Sequence, residues 1–319
     1  MTAIQNVCVF GVGGVGGFFG AKMADKATKM NGSGIKIFFI ARGEHLNAIQ
    51  SEGLTLRTPE ATINCRPFMA TSDMNQIPQP DLIMLCVKSY DLQNVLAAIK
   101  PCVNDDTIIL PLLNGADIYD RIRQTIRTGT VLPACVYVGT HIASPGIIQQ
   151  NGGDGKILLG NDPQKQRFSP RALIDFFEMV GIDYQWQDDP FPAIWGKYLF
   201  IAALGMVSAC KNQTIGEIMA DEDARSLLES IVREIFSIAI AKGVKLAEDI
   251  VQQTIARGTR FPFETKTSYQ RDVEHKGRMN EGDIYGETII RLGETLGVPT
   301  PVVRSVHMQI NSKIQETDI

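Results

Sequence analysis

Residues 7 to 20 read VCVFGVGGVGGFFG. The apolar run Val7 to Phe10 ends abruptly in glycines, the pattern of a buried strand stopped by a tight turn. Gly11, Gly13 and Gly16 stand in the GxGxxG spacing. In that motif the first glycine permits the turn and the second lets the main chain approach a pyrophosphate. The third lets the next helix pack closely on the strand. The helix N-terminus then offers free N–H groups and the positive end of its dipole to phosphates. The sequence predicts this helix from Gly16 to about Met30, with Phe18, Phe19, Met23 and Ala27 on one side. Asn31–Gly34, NGSG, ends it. Strand, glycine turn and helix in this order are the context a dinucleotide site requires. The competing reading is a glycine-rich structural turn.

Working outward, strands and helices alternate. Ile35–Ile40 reads as a second buried strand and His45–Glu52 as a short helix stopped by Gly53. Leu82–Val87 is a further strand. Tyr90–Lys100 is a helix with Leu92, Val95, Leu96 and Ile99 on one face. Thr107–Leu112 and Val131–Val138 complete the strands. This order predicts an α/β fold with an N-terminal Rossmann-type, doubly wound parallel sheet. The second half changes character. Residues 220–244 form an amphipathic helical pattern with Leu227, Leu228, Ile231, Ile235 and Ile238 as its stripe. Further helical patterns cover Ala247–Arg257 and Asp283–Leu296. A C-terminal all-helical domain follows, with the boundary in QWQDDPFP, giving domains 1–188 and 189–319.

Composition bounds the function. The 319 residues suit two domains, and 44% hydrophobic content supplies a sizeable core. Lysine and arginine number 31 against 35 acids, so nothing points to nucleic acid or an anionic membrane as partner. The six cysteines are scattered without a CxxC pair, which fits reduced thiols in a cytoplasmic protein. No basic segment precedes a long apolar stretch at the N-terminus, so no signal peptide is expected. The apolar run Tyr198–Cys210 is too short to span a bilayer and reads as a core helix. The long apolar helices of the second half suit either a homodimer interface or the core alone.

Several side chains carry chemistry. An NAD site usually places an acid at the end of the second strand. Here that strand ends FFIARG, with Arg42 in place of the acid. A guanidinium pairs with a 2′-phosphate through two N–H groups, so NADP(H) is the expected cofactor; a solvated surface arginine is the alternative. Lys88 in CVKSYD and Asn114 in LLNGAD follow successive strands, at the sheet edge where ligands bind in such folds. Loop geometry is the rival for each. Lys197 is a lone charge at the head of an apolar helix. It is either a proton donor with a shifted pKa or a lysine that snorkels from a helix end. Ser268, Asp272, Glu281 and Asp283 lie in a polar stretch that faces a site or water.

Taken together, IARGEHLNAIQSEGL, VKSYD, LLNG, IWGKYLF and FETKTSYQRDVEHKGRMNEGDIYGE resemble the ketopantoate reductase (2-dehydropantoate 2-reductase) family over nearly the whole chain. The resemblance implies a Rossmann domain, a helical domain and an active site in the cleft between them. It implies NADPH-dependent reduction of a 2-oxo acid, ketopantoate, to pantoate, a precursor of pantothenate and coenzyme A. It implies that Lys197 donates the proton to the carbonyl oxygen and that Glu281 hydrogen-bonds the substrate hydroxyl. By the same resemblance Asn114 lies near nicotinamide and substrate, Lys88 near the cofactor, Ser268 at the substrate carboxylate and Arg42 at the 2′-phosphate. Three positions depart from the family pattern. Ile201, Gly205 and Gly286 stand where asparagines are usual, and HKGR carries one extra residue. A site that loses hydrogen-bonding groups changes which analogue it accepts. Two rival functions follow: reduction of another branched or bulkier 2-oxo acid, and NADP(H) sensing without catalysis. A flavin enzyme fits Arg42 and the second domain poorly.

Overall fold

The first strand, β1 (Asn6–Phe10), buries Val7, Cys8 and Val9 completely. In the computed structural model of the chain it lies at the centre of a six-stranded sheet. The structure describes residues 3–30, 32–275, 277 and 279–317. Asn31 of the expected NGSG turn, and Lys276 and Arg278 of HKGR, lie outside the described residues.

In chain order the strands are β1, β2 (Lys36–Ile40), β3 (Leu54–Arg57), β4 (Thr62–Cys65), β5 (Met69–Thr71), β6 (Leu82–Leu85), β7 (Ile108–Pro111) and β8 (Thr130–Val131). They continue with β9 (Ala134–Val136), β10 (Gly139–Ser144), β11 (Ile147–Gly152), β12 (Ile157–Gly160) and β13 (Tyr184–Gln187). The main sheet runs β5-β2-β1-β6-β7-β8 with every pair parallel. Counting only its own strands, that is the order 3-2-1-4-5-6 of a dinucleotide-binding sheet, which reverses direction between β1 and β6. Parallel strands covered on both faces read as continuous apolar runs, and FFI of β2, LIML of β6 and IIL of β7 are such runs.

The helices of this half are α1 (Gly14–Lys29), α2 (Gly43–Glu52), α3 (Leu92–Ile99), α4 (Ile118–Thr125) and α5 (Arg171–Val180). Phe18, Phe19, Met23 and Ala24 of α1 pack into one core with Val7, Val9, Ile37 and Phe39. Full burial of each phenylalanine, methionine, valine or isoleucine among them contributes about 1.5–3 kcal/mol. The helix starts two residues before the predicted Gly16, because Gly13 is its N-cap. The predicted strand Val131–Val138 divides at Pro133. Proline offers no N–H to continue the ladder, so β8 ends the parallel sheet and β9 joins a second one, ordered β13-β12-β9. A third sheet, β10-β11-β3-β4, is a further addition to the sequence reading.

The second half is helical throughout its described residues, as its patterning predicts. Its helices are α6 (Phe191–Lys211), α7 (Ile215–Ala220), α8 (Glu222–Ala241), α9 (Ile250–Gly258), α10 (Ser268–Glu274), α11 (Thr288–Leu296) and α12 (Pro301–Thr317). The helix expected at Ala247 begins at Ile250, and the one expected at Asp283 opens with a π-helical turn, Asp283–Glu287. At 21 residues, α6 is longer than its apolar run and reaches membrane-spanning length. Of its most apolar window, 83% is buried inside the protein, so it is the core helix of this half.

Two compact units result. One comprises Met1–Leu113 and Ile118–Pro190, the other Asn114–Asp117 and Phe191–Ile319. The short segment Asn114–Asp117, which follows β7 in sequence, thus belongs with the helical unit. Asp117 is buried there, accepting from the Thr288 hydroxyl at 3.4 Å and pairing with the Arg291 guanidinium.

A Cβ at residue 16 would lie 2.1 Å from the Gly11 carbonyl oxygen, whereas one at residue 13 meets nothing within 4 Å. Gly16→Ala is therefore expected to lose about 1–3 kcal/mol of unfolding free energy. Gly13→Ala is expected to stay within about 0.5 kcal/mol. Urea unfolding of the two variants checks this contrast.

Candidate active site

The first group of expected site residues lies in the first unit, around the turn after β1. Gly11 adopts φ +92°, a conformation that side chains disfavour. A Cβ there would also strike the Val87 side chain at 2.6 Å. The N–H groups of Gly11 and Val12 both donate to the Ile40 carbonyl, at 3.0 and 3.2 Å. That bond pair holds the turn against the end of β2. The next N–H groups begin α1, whose first turn has no intrahelical partners for them. Gly13 caps this helix without a side-chain hydrogen bond, and no acid stands in its first turn. The three glycines thus serve the fold differently: a turn at Gly11, open space at Gly13, close packing at Gly16.

A cavity of about 350 Å³ opens beside this turn. Ile40, Val87, Val95 and Ile142 give it apolar walls, suited to a purine ring. Arg42 and Asp91 give it a charged rim, and the Arg42 Nη2 donates to Asp91 Oδ2 at 2.6 Å. His45 also lines it; its Nδ1 accepts from the Gly146 N–H at 3.0 Å, and burial lowers its pKa below the usual value. The backbone carbonyl of Val12 opposes that shift. Lys88 is half-buried at the turn that follows β6. These residues fit a dinucleotide: an uncapped helix N-terminus, an apolar slot, and a charged pair at the rim.

The second group lies in the helical unit. Lys197, in the second turn of α6, is 7% exposed. Its Nζ donates to the Asn114 Oδ1 at 2.7 Å. A buried ammonium needs such an oxygen to offset its lost hydration. Asn114 is carried to α6 on the segment that Asp117 ties to α11. Glu281, 4% exposed, stands two residues before the π turn, and its carbonyl accepts from the N–H of Ile284 and of Tyr285. Tyr198, next to Lys197, donates its hydroxyl to the Ile284 carbonyl. That bond ties the lysine's helix to the glutamate's turn. Ser268 is exposed, at the first position of α10, whose N-cap Thr267 accepts from the Gln270 N–H at 3.1 Å. Asp272 is half-buried in α10, and Asp283 opens the π turn.

The positions that depart from the family pattern have a structural account. Gly205 lies two helical turns after Lys197. A Cβ there would sit 3.4 Å from Tyr269 and 3.6 Å from Tyr285. Those two rings stack with centroids 4.6 Å apart, and both are buried. The pair fills the space that a longer side chain at 205 would enter. Burial pushes the Tyr269 hydroxyl well above the usual tyrosine pKa. Gly286 is more tightly constrained, since a Cβ there would clash with the His307 ring. Ile201 is half-buried on α6, between Lys197 and Gly205. Asp117, Arg291 and the two tyrosines were missed in the sequence. Asp117 stands in the LLNGAD stretch, but nothing local ties it to an arginine 174 positions away.

Two family models match the chain, Ketopantoate reductase PanE/ApbA over residues 7–164 and Ketopantoate reductase PanE/ApbA C terminal over residues 191–313. The chain belongs to the ketopantoate reductase family. Among curated relatives of this family, the 2-dehydropantoate 2-reductase of Mesorhizobium japonicum is 27% identical over 324 aligned positions, covering 95% of each chain. The crystal structure of a PanE/ApbA family ketopantoate reductase from Ralstonia eutropha JMP134 superposes with a TM-score of 0.87 at 27% identity. It covers 98% of this chain and 99% of that one. D-mandelate dehydrogenase, solved with NADH and anilino(oxo)acetate, shares the fold at a TM-score of 0.85 and 22% identity, over 98% and 99% of the two chains. The family makes the chain an oxidoreductase whose sheet carries a nicotinamide cofactor.

The tyrosine pair leaves room for a methyl group at residue 205 but not for an amide. Gly205→Asn is expected to cost about 1–3 kcal/mol by displacing the rings. Gly205→Ala is expected to be neutral or to gain up to about 1 kcal/mol from helix propensity. Thermal melts of both variants distinguish the two effects.

Proposed function

We propose that this protein reduces a 2-oxo acid to the 2-hydroxy acid with NADPH, and that ketopantoate is its substrate. The observation that carries this reading is the buried Lys197 ammonium held by Asn114 at 2.7 Å. A bound nicotinamide dinucleotide supplies the hydride that reaches the carbonyl carbon. Lys197 keeps a proton beside the carbonyl oxygen, stabilises the negative charge that develops there and donates the proton. Asn114 accepts one ammonium hydrogen and so aims the others. Glu281 accepts a hydrogen bond from the substrate hydroxyl, and Ser268 donates to the substrate carboxylate. Gly11, Gly13 and Gly16 with the N-terminus of α1 hold the pyrophosphate, Arg42 the 2′-phosphate and Lys88 the cofactor's nearer end. The reducing cytoplasm is its proposed setting. It suits six cysteines that form no disulfide, with the Cys65 thiol pushed up to about 12 by burial.

A second reading is favoured by half-buried Ile201 and by the absence of a side chain at Gly205. An apolar surface in place of hydrogen-bonding side chains suits a 2-oxo acid with a bulkier, less polar side chain. Loss of NADPH absorbance with ketopantoate and a panel of branched and aromatic 2-oxo acids separates the two. Highest kcat/KM with ketopantoate supports the first, and highest kcat/KM with an aromatic acid supports the second. Turnover of none would leave a nucleotide sensor.

Lys197→Ala is expected to lower kcat by about two to four orders of magnitude, the scale of general acid catalysis. An unchanged kcat places the proton donor elsewhere. Arg42→Ala is expected to weaken NADPH about tenfold or more, the worth of a charge-assisted pair, with NADH little affected. Titration by quenching of reduced-nicotinamide fluorescence measures both.

A further inference from the structure

Proteins that read NAD place an acid at the end of the second strand, where it accepts from the ribose hydroxyls. In this chain the residue there is Arg42, yet the pocket does hold a carboxylate. Asp91 arrives from the turn between β6 and α3 and lines the same cavity as Gly11, Gly13 and Arg42. Its Oδ2 accepts from the Arg42 Nη2 at 2.6 Å. The Asp91 side chain is 18% exposed and that of Arg42 76%. The acid is therefore the anchored member of the pair, and the arginine reaches over from the rim. His45, the other titratable group on this wall, is disfavoured as a cation by burial. Arg42 and Asp91 carry the charge of the lining.

The carboxylate acts oppositely on the two nicotinamide cofactors. A 2′-phosphate that approaches Arg42 meets a like charge beside it and an arginine already engaged at one nitrogen. An unphosphorylated ribose brings a hydroxyl donor instead, which a carboxylate accepts well. We propose that Asp91 is a cofactor-specificity residue: it holds Arg42, accepts the ribose hydroxyl of NADH and so limits the preference for NADPH. This rests on the reading of the pocket as a dinucleotide site.

The test measures the dissociation constants of NADPH and NADH, at one fixed ionic strength, for the wild-type protein and Asp91→Asn. Asp91→Asn keeps the shape of the side chain and removes its charge. The expected result is tighter NADPH and weaker NADH, so that the ratio of the two constants moves towards NADPH by about tenfold or more, the scale of one charged hydrogen bond. Asp91→Ser, which removes the same charge with a smaller side chain, shifts the ratio the same way and serves if Asp91→Asn fails to fold. A ratio that stays constant, or that moves towards NADH, overturns the role of Asp91. Wild-type protein that binds neither cofactor overturns the dinucleotide reading beneath it.

Discussion

The close approach of α1 to the turn after β1 governs the first unit. With only hydrogen on residue 16, the helix settles against the Gly11 carbonyl. From there its apolar face reaches the sheet, and its N-terminus stays open beside the cavity. A larger residue at 16 would push the helix outward and move Phe18, Phe19 and Met23 from the core they share with β1 and β2. The same contact therefore sets both the packing of the helix and the position of its N-terminus beside the cavity.

In the second unit the corresponding constraint is electrostatic. A lysine at 7% exposure costs free energy unless an oxygen meets it. The oxygen belongs to Asn114, and Asn114 is where it is because Asp117 is fastened to α11. The Tyr198 hydroxyl fastens α6 to the π turn in the same way. π-helical turns insert an extra residue per turn and recur at functional sites. Here the turn begins two residues after Glu281 and holds Gly286 against His307.

Much of this was legible in the sequence, for physical reasons that differ by element. β1, β2, β6 and β7 are buried on both faces, so they appear as unbroken apolar runs, and the parallel sheet follows from their alternation with helices. The GxGxxG spacing, Arg42 and the solitary charge of Lys197 are local signals. The β10–β11 hairpin was illegible because GTHIAS and IIQQNG are mostly exposed or half-buried and lack a clean alternation. The break at Pro133 lay inside a run whose hydrophobicity looked continuous. The Tyr269–Tyr285 stack and the Asp117–Arg291 pair join residues far apart in the chain, and no spacing rule reveals such pairs. Gly205 and Gly286 were visible as departures. Only the folded neighbours show that the Tyr269–Tyr285 stack crowds residue 205 and that the His307 ring leaves no room for a Cβ at residue 286.

The tie between Asp117 and Arg291 also makes the helical unit discontinuous in the chain. Four of its residues are encoded more than seventy positions before the rest. A fragment that starts at Phe191 would carry Lys197 without Asn114 and Arg291 without Asp117, and an amino-terminal fragment would carry a strap with nothing to fasten it. The two halves that the family models match separately are thus not two self-sufficient modules. Splitting or recombining this chain has to carry the Asn114–Asp117 strap along with the helices that grip it.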